Sequence, residues 1–452
     1  MTGTARRALG ERLRLIGLAV VSVSSGFASQ AGCVVQEPGA SLAESASPLN
    51  GADSDYDPLL ADIGDARFVL LGESSHGTHE FYVERARISE RLIRETGFRA
   101  IVIEGDWPEI ERVNRYVRGE GADATGDEAL SDFEDFPEWM WRNTAFRDLI
   151  ERLRAWNLTQ PAEGRAGVYG MDVYALFEAA DAVVDHLEDS EPAAAERARR
   201  NYRCFAPYRR DTAAYGAAAR RPARSCEDEA AAVAAELRSL PPVADPEAAE
   251  ARFGAIRHAG TVVGGEAYFR AAYAGAYAWN ARDRAMTSAI TETADHVRAQ
   301  AGAPGRVIVW AHNTHVGDAR ATDAAYRGEV NLGQLLREAG ESVYGVGFLT
   351  SGGQVRAATA WGRPGRVFDV RPPLPGSDAA LLRAAGLTRA LLLLRHGEPA
   401  AVLSEPRPQR AIGVIYIPDQ ERSAHYLEAA AARQFDALIY LDATTAVEPL
   451  SR

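Results

Sequence analysis

Apolar and polar positions alternate along the chain in two rhythms. Short apolar runs bounded by turn residues predict buried strands at Arg67–Leu71, Ala100–Ile103, Gly167–Tyr169, Val307–Trp310, Val343–Phe348, Leu391–Leu394, Ile412–Ile417 and Ala437–Leu441. Helical patterns separate most of these runs. Strands apolar on both faces need cover on both faces, so the class predicted is α/β: a three-layer α/β/α core around a largely parallel sheet. Residues 178–300 break the rhythm. They are rich in Ala, Arg and Glu with almost no strand signal, which predicts a helical insertion between a first core half, 50–177, and a second, 301–452. No repeat of fixed period is present.

The first fifty residues follow a different logic. Arg6, Arg7, Arg12 and Arg14 precede an apolar stretch from Leu15 to Val23, and small residues lead to Ala31-Gly32-Cys33. That layout predicts a signal peptide over 1–33, with Cys33 in a lipobox-like context as the lipidated first residue of the mature chain. Residues 34–49 then read as a tether, and the protein as exported, either an envelope lipoprotein or secreted. No run of 18 apolar residues occurs, so no segment has the length of a transmembrane helix. Cys204 and Cys226 are the only other cysteines. An oxidising compartment permits a disulfide between them, but spacing alone leaves the pairing open.

Composition narrows the chemistry. All 50 basic residues are Arg, so a P-loop lysine and Schiff-base catalysis are excluded. The 63 acidic residues give a formal charge of −13. Nucleic-acid binding needs basic stripes that neutralise phosphates, so an acidic chain argues against such a partner.

The residues just past four predicted strands are reactive types. Glu73 and His76 follow the first, Glu104 the second and Asp172 the third, while His312 and His315 follow Val307–Trp310. Parallel strands present their carboxyl ends to one crevice, where ligands of open α/β sheets bind. A helix is predicted from His79 to about Glu95, N-capped by Thr78 and stopped by Gly97. Phe81, Ile88 and Leu92 form its apolar stripe, and Arg85 lies on the same stripe. Either Arg85 is a structural residue paired inside the core, or it aims at the crevice with Glu73 or Glu104 as partner.

The candidate site is therefore Glu73, His76, Arg85, Glu104, His312 and His315, with His79 close by. A carboxylate fixes a histidine tautomer and raises its basicity; a second His or an Arg stabilises an oxyanion. This set suits hydrolysis of an ester by activated water, without a cofactor. The spacings His76-x-x-His79 and His312-x-x-His315 also suit a metal, and a metal-dependent hydrolase is the competing chemistry. An envelope-tethered binding protein without turnover is a third reading. His186, His258, His296 and His396 read as core residues; His425 is left open.

The chain resembles the erythromycin esterase family. The resemblance spans about residues 55–450 and rests on Leu71-Gly72-Glu73-Ser74-Ser75-His76-Gly77-Thr78, Arg85, Ile103-Glu104-Gly105-Asp106-Trp107 and Tyr169-Gly170-Met171-Asp172. Arg282-Asp283-Arg284-Ala285-Met286, Trp310-Ala311-His312-Asn313-Thr314-His315 and Asn331-Leu332-Gly333-Gln334-Leu335 extend it. It implies a hydrolase of a macrolide-like small-molecule ester, hence antibiotic inactivation. It also implies that His76 is the base that activates water, supported by Glu73, Arg85, Glu104, His312 and His315.

Overall fold

Phe68–Leu71 (β2) and Val307–Trp310 (β5) are wholly apolar and wholly buried, as central strands covered on both faces must be. The computed structural model describes residues 38–208, 210–275, 277–301 and 304–451. In chain order the remaining strands are Ser47–Pro48 (β1), Ala100–Asp106 (β3), Gly167–Asp172 (β4), Val343–Ala357 (β6), Arg366–Val370 (β7), Arg389–Leu393 (β8), Arg407–Arg410 (β9), Tyr426–Ala429 (β10) and Ala437–Thr444 (β11). The large sheet runs β1-β8-β11-β6-β2-β5-β3-β4, with β7 paired to β6. Its six central strands, from β11 to β4, are mutually parallel, while β8, β1 and β7 are antiparallel additions. The α/β expectation and the largely parallel sheet stand.

Three expectations need correction. Residues 38–49 are no tether: Pro38–Ser45 is a helix, β1 pairs with β8, and Leu42 and Leu49 are buried. The helix packs against the helices Asp378–Ala384 and Gly397–Val402 while β1 extends the sheet edge, which a solvated linker would not do. Residues 412–417 form no strand of the sheet. Ile412 and Tyr416 are buried against Val355 and Phe368, but the backbone touches its neighbours only through single bridges, Ser75 to Ile412 and Ala358 to Ile415. Thr78 occupies the N-cap of the helix His79–Thr96 (α1) without a capping bond, because its hydroxyl pairs with Ser75 Oγ at 2.5 Å. The signal peptide and Cys33 lie outside the described residues.

Trp107–Val117 (α2) follows β3. The block after β4 is helical throughout, from Leu176–Ser190 (α3) to Pro246–Ala274 (α4) and Ala278–Ala301 (α5). The α4 helix starts with Asp245 accepting the Ala248 N–H at 2.9 Å and Pro246 in its first turn; Gly275, at φ 75°, ends it. Val173 to Phe269 form an apolar core of their own, separate from the core around the sheet. Cys204 and Cys226 are joined by a disulfide within that block, Cα to Cα 5.9 Å. In the chain-entropy account, closing 22 residues stabilises by roughly 3 kcal/mol.

Candidate active site

Four adjacent strands, in the order β4, β3, β5, β2, deliver the site from their carboxyl ends. Asp172 closes β4, Glu104 sits at a register shift in β3, His312 and His315 follow β5, and Glu73 and His76 follow β2. The β3 irregularity turns Glu104 toward its neighbours, a common use of bulges beside functional sites. Gly72 is required by close approach: a Cβ there would lie 2.0 Å from Asn313 Oδ1. Asn313 in turn donates its backbone N–H to Glu73 O at 2.8 Å and its side-chain amide to Phe348 O at 2.8 Å, tying the loops after β5 and β2 to each other and to β6.

Glu73, His76 and Arg85 form a chain running outward from the core. Arg85 is completely buried; its Nη2 donates to Glu73 Oε2 at 2.8 Å and its Nε to Phe81 O at 3.2 Å. Its guanidinium lies between the rings of Tyr82 and Trp310, 4.8 and 4.6 Å from their centroids. Glu73 Oε1 meets His76 Nδ1 at 2.9 Å. With Glu73 accepting from Arg85 through its other oxygen, Nδ1 is the donor to Oε1 and Nε2 keeps its lone pair. His76 lines a cavity of about 610 Å³. Arg85 and Glu73 do not line it. The expectation that Arg85 points into the crevice is therefore wrong: the apolar stripe on which it lies faces the core, and Glu73 is its partner there.

A second network surrounds Arg282, on the first turns of α5. Its Nε and Nη2 grip both oxygens of Asp172, at 2.8 and 2.6 Å, and Nη2 also donates to Glu104 Oε1 at 2.7 Å. Nη1 donates to His315 Nε2 at 2.9 Å. Of the five N–H groups, one on Nη1 is left for the cavity that Arg282 lines. Burial opposes the charge on Glu104, but the ion pair with the Arg282 guanidinium outweighs it and holds the carboxyl well below the usual range. The second oxygen of Glu104 accepts the His312 backbone N–H at 2.9 Å.

His315 is enclosed by one face of α5: Trp279 stacks on its ring at 4.3 Å, and Asp283 meets Nδ1 at 3.0 Å from both oxygens. Burial disfavours its cation, yet Asp283 and then Glu104 raise its pKa to about 9. That value favours a cation, while the Arg282 contact favours a neutral ring. The contact decides, because a guanidinium only donates, and two N–H groups cannot face each other across 2.9 Å. With Arg282 docked, His315 is neutral and strongly basic, its proton on Nδ1.

His312 caps the short helix Asn313–Val316. Its Nδ1 accepts the Thr314 N–H at 3.3 Å and faces Thr314 Oγ1 at 2.8 Å, so the ring proton resides on Nε2. Burial above all pushes its pKa down to about 3, so the ring is neutral. Nε2 is buried without a hydrogen-bond partner among the described residues, although the Ser74 carbonyl lies close enough to favour a ring proton. Its ring centroid is 5.0 Å from that of His76.

The remaining histidines separate cleanly. His79 sits in the first turn of α1, where its backbone N–H bonds Thr445 O, and it does not line the cavity. His258 is a core residue and His296 is partly buried; they bond Glu111 and Glu250, each at 2.8 Å. His186 is half-buried rather than core, and His396 is exposed, because the short helix it caps lies at the surface. His425 lines the cavity with Nε2 committed to the Ile417 N–H at 3.1 Å; burial lowers its pKa to about 4. Among the described residues, no group of three or more His, Cys, Asp or Glu side chains is arranged to hold a metal ion. Arg282, Asp283, Asp172 and the cavity aromatics Trp141, Tyr174, Trp279 and Trp361 were not among the predicted site residues. The Arg282-Asp283 pair stood in the sequence as one of the motifs of the family resemblance, but without a role in the site.

The family model for erythromycin esterase matches residues 93–444. The chain belongs to the erythromycin esterase family. The matched stretch contains Glu104, Asp172, Arg282, Asp283, His312 and His315; Glu73, His76 and Arg85 precede it. An erythromycin esterase type II from Escherichia coli is 29% identical over 150 residues, 31% of this chain and 36% of that protein. The chain thus aligns with about a third of that relative's length. A solved structure described as a succinoglycan biosynthesis protein superposes with a TM-score of 0.74 at 20% identity, covering 93% of this chain and 100% of the other. A protein from Bacillus cereus gives 0.73 at 20% identity over 91% and 98%. A mutant of an erythromycin esterase in its open conformation gives 0.60 at 16% identity over 88% and 95%. At these identities the superpositions establish the fold.

Proposed function

We propose that this family member is an ester hydrolase in which His76 activates water, acting on a macrolide-like lactone. The observation that carries this reading is the Arg85–Glu73–His76 chain, which ends in an imidazole with a free Nε2 on the cavity. Nε2 takes a proton from water, and Glu73 supports the resulting imidazolium. The hydroxide oxygen bonds to the ester carbonyl carbon. The negative charge on the carbonyl oxygen is met by His312 Nε2–H and the spare Arg282 Nη1–H, donors already in place. Collapse breaks the bond to the alkoxide, which takes the proton back from His76. Carboxylic acid and alcohol leave, one water having been consumed. Phe133, Phe136, Trp141, Tyr174, Trp279 and Trp361 give the cavity an aromatic wall suited to a large, mostly apolar ligand.

The test is incubation of purified protein with a panel of macrolides, simple esters and acylated oligosaccharides, read by mass spectrometry. Gain of one water by a macrolide is expected. Turnover of simple esters or acylated sugars with every macrolide intact would remove the macrolide assignment; no turnover of any ester would remove the activity.

We further propose that the chain is exported and anchored through a lipid on Cys33. The Cys204–Cys226 disulfide supports this, since such bonds persist in oxidising compartments. Cell fractionation should place wild type with membranes and Cys33→Ser in the soluble or unprocessed fraction. Wild type recovered uncleaved in the cytosol would refute export.

A further inference from the structure

From Arg197 to Cys226 the chain carries nine arginines and a single acid, Asp211, within a protein of formal charge −13. An unbalanced basic stretch on an acidic chain raises the question of what neutralises it. Several members pair locally: Arg197 with Glu236, Arg199 with Glu188, Arg210 with Glu178 and Asp181. Arg220, Arg221 and Arg224 do not. All three are exposed, and among the described residues none has an ion pair or a side-chain hydrogen bond. All three line one concavity of about 660 Å³, floored by Pro207, Tyr208 and alanines of the helix Thr212–Ala219.

The local build explains why these side chains are displayed together. Asp211 caps that helix by accepting the Ala214 N–H at 2.9 Å, and the helix presents methyl groups rather than long side chains, which leaves the floor open. It ends at Arg220, and the turn Pro222–Arg224 brings Arg224 back to the same side. Every lining residue lies between Cys204 and Cys226, so the disulfide closes the segment that carries them. Beneath it, Tyr215 accepts the Cys226 N–H at 3.0 Å and bonds Glu266 at 2.7 Å. A segment fixed in this way loses little freedom when it takes a ligand.

Guanidinium groups stay charged at any working pH and offer a planar fork that matches phosphate oxygens. Three of them around one concavity, with no carboxylate lining it, suit a multiply charged oxyanion. The tyrosine and the alanines suit the organic part attached to it. We propose that this concavity binds a phosphate ester through Arg220, Arg221 and Arg224. The same chemistry occurs in soluble phosphorylated polyols and in anionic phospholipid head groups. No residue lines both this concavity and the catalytic cavity, so the site is separate from ester hydrolysis.

The experiment uses the full chain as Cys33→Ser, so that an attached lipid does not mask binding. Glycerol 3-phosphate is titrated by calorimetry at low ionic strength. In parallel, the protein is co-sedimented with phosphatidylcholine vesicles with and without phosphatidylglycerol. Saturable binding of glycerol 3-phosphate, weakened about tenfold or more in Arg220→Gln/Arg221→Gln/Arg224→Gln and unchanged in Arg197→Gln, supports the site and a soluble ligand. Binding confined to phosphatidylglycerol vesicles and lost in the triple variant supports the site and a lipid source. Binding of neither probe, or a triple variant that binds like the parent, overturns the proposal. Ester turnover of the triple variant should match that of the parent.

Discussion

Replacing His76 with alanine should leave a folded protein that has lost most of its turnover. The imidazole sits in the loop after β2, held by a hydrogen bond from Nδ1 to Glu73 and a ring contact with His312. Its removal does not orphan the carboxylate, because Arg85 still holds the other oxygen at 2.8 Å. The stability change is therefore expected to be small for so buried a position. The rate change is not, since a positioned general base contributes roughly 10²–10⁴-fold. Turnover and melting temperature measured on the same preparation separate the two effects. His312→Ala serves as the comparison: it removes a proposed donor to the carbonyl oxygen while leaving the base in place. If His76→Ala turns over within a few-fold of wild type, the base lies elsewhere.

The half of the site on β2, β3 and β5 was legible because strand ends are legible. Phe68–Leu71 and Val307–Trp310 are short, wholly apolar and stopped by small or polar residues, and the reactive side chains follow at once. Arg85 could be placed on a buried face by helix periodicity, and a buried guanidinium implies an acid; which acid was not readable, because Glu73 and Glu104 meet only in the folded sheet. Arg282 was harder. It lies within a 24-residue helix in an Arg-rich block, where one more arginine resembles a solvated face. Only the packing of α5 against the β3–β4–β5 edge shows that Trp279, Arg282 and Asp283, at spacings of three and four, enclose His315. The loop 411–417 failed for a related reason. Its apolar side chains are buried, as a strand's would be, but its backbone is held by isolated bridges beside the catalytic loop.

These contacts give the helical block a larger part than the shaping of a pocket. Through Arg282 it joins β3, β4 and β5: Glu104, Asp172 and His315 all bond one guanidinium.

Arg282→Met should consequently lower both stability and turnover, the apolar chain filling the space while the charge is lost. Glu104 and Asp172 would face each other, nine-tenths or more buried, without their shared cation. Breaking a buried pair in this way costs on the order of 3–5 kcal/mol. The pH dependence fixes the cause. In wild type the Glu104 carboxyl is held well below the usual range, so its contribution is fully present above the unfolded value, about 4.3, and fades as pH falls through the folded one. Without Arg282 the basic His315, 3.4 Å from Glu104, is released to take a proton and replaces the lost cation only in part, so the folded pKa of Glu104 rises, and a protonated Glu104 no longer needs a counter-charge. The melting-temperature gap between wild type and variant should therefore be wide near pH 7 and narrow as pH falls to about 4.5. Turnover should fall with the loss of the donor at the carbonyl oxygen, and Arg282→Lys, which keeps charge but not the fork, should recover stability better than rate. A gap that is constant across this pH range, with turnover unchanged, would mean that the guanidinium neither balances Glu104 nor meets the substrate.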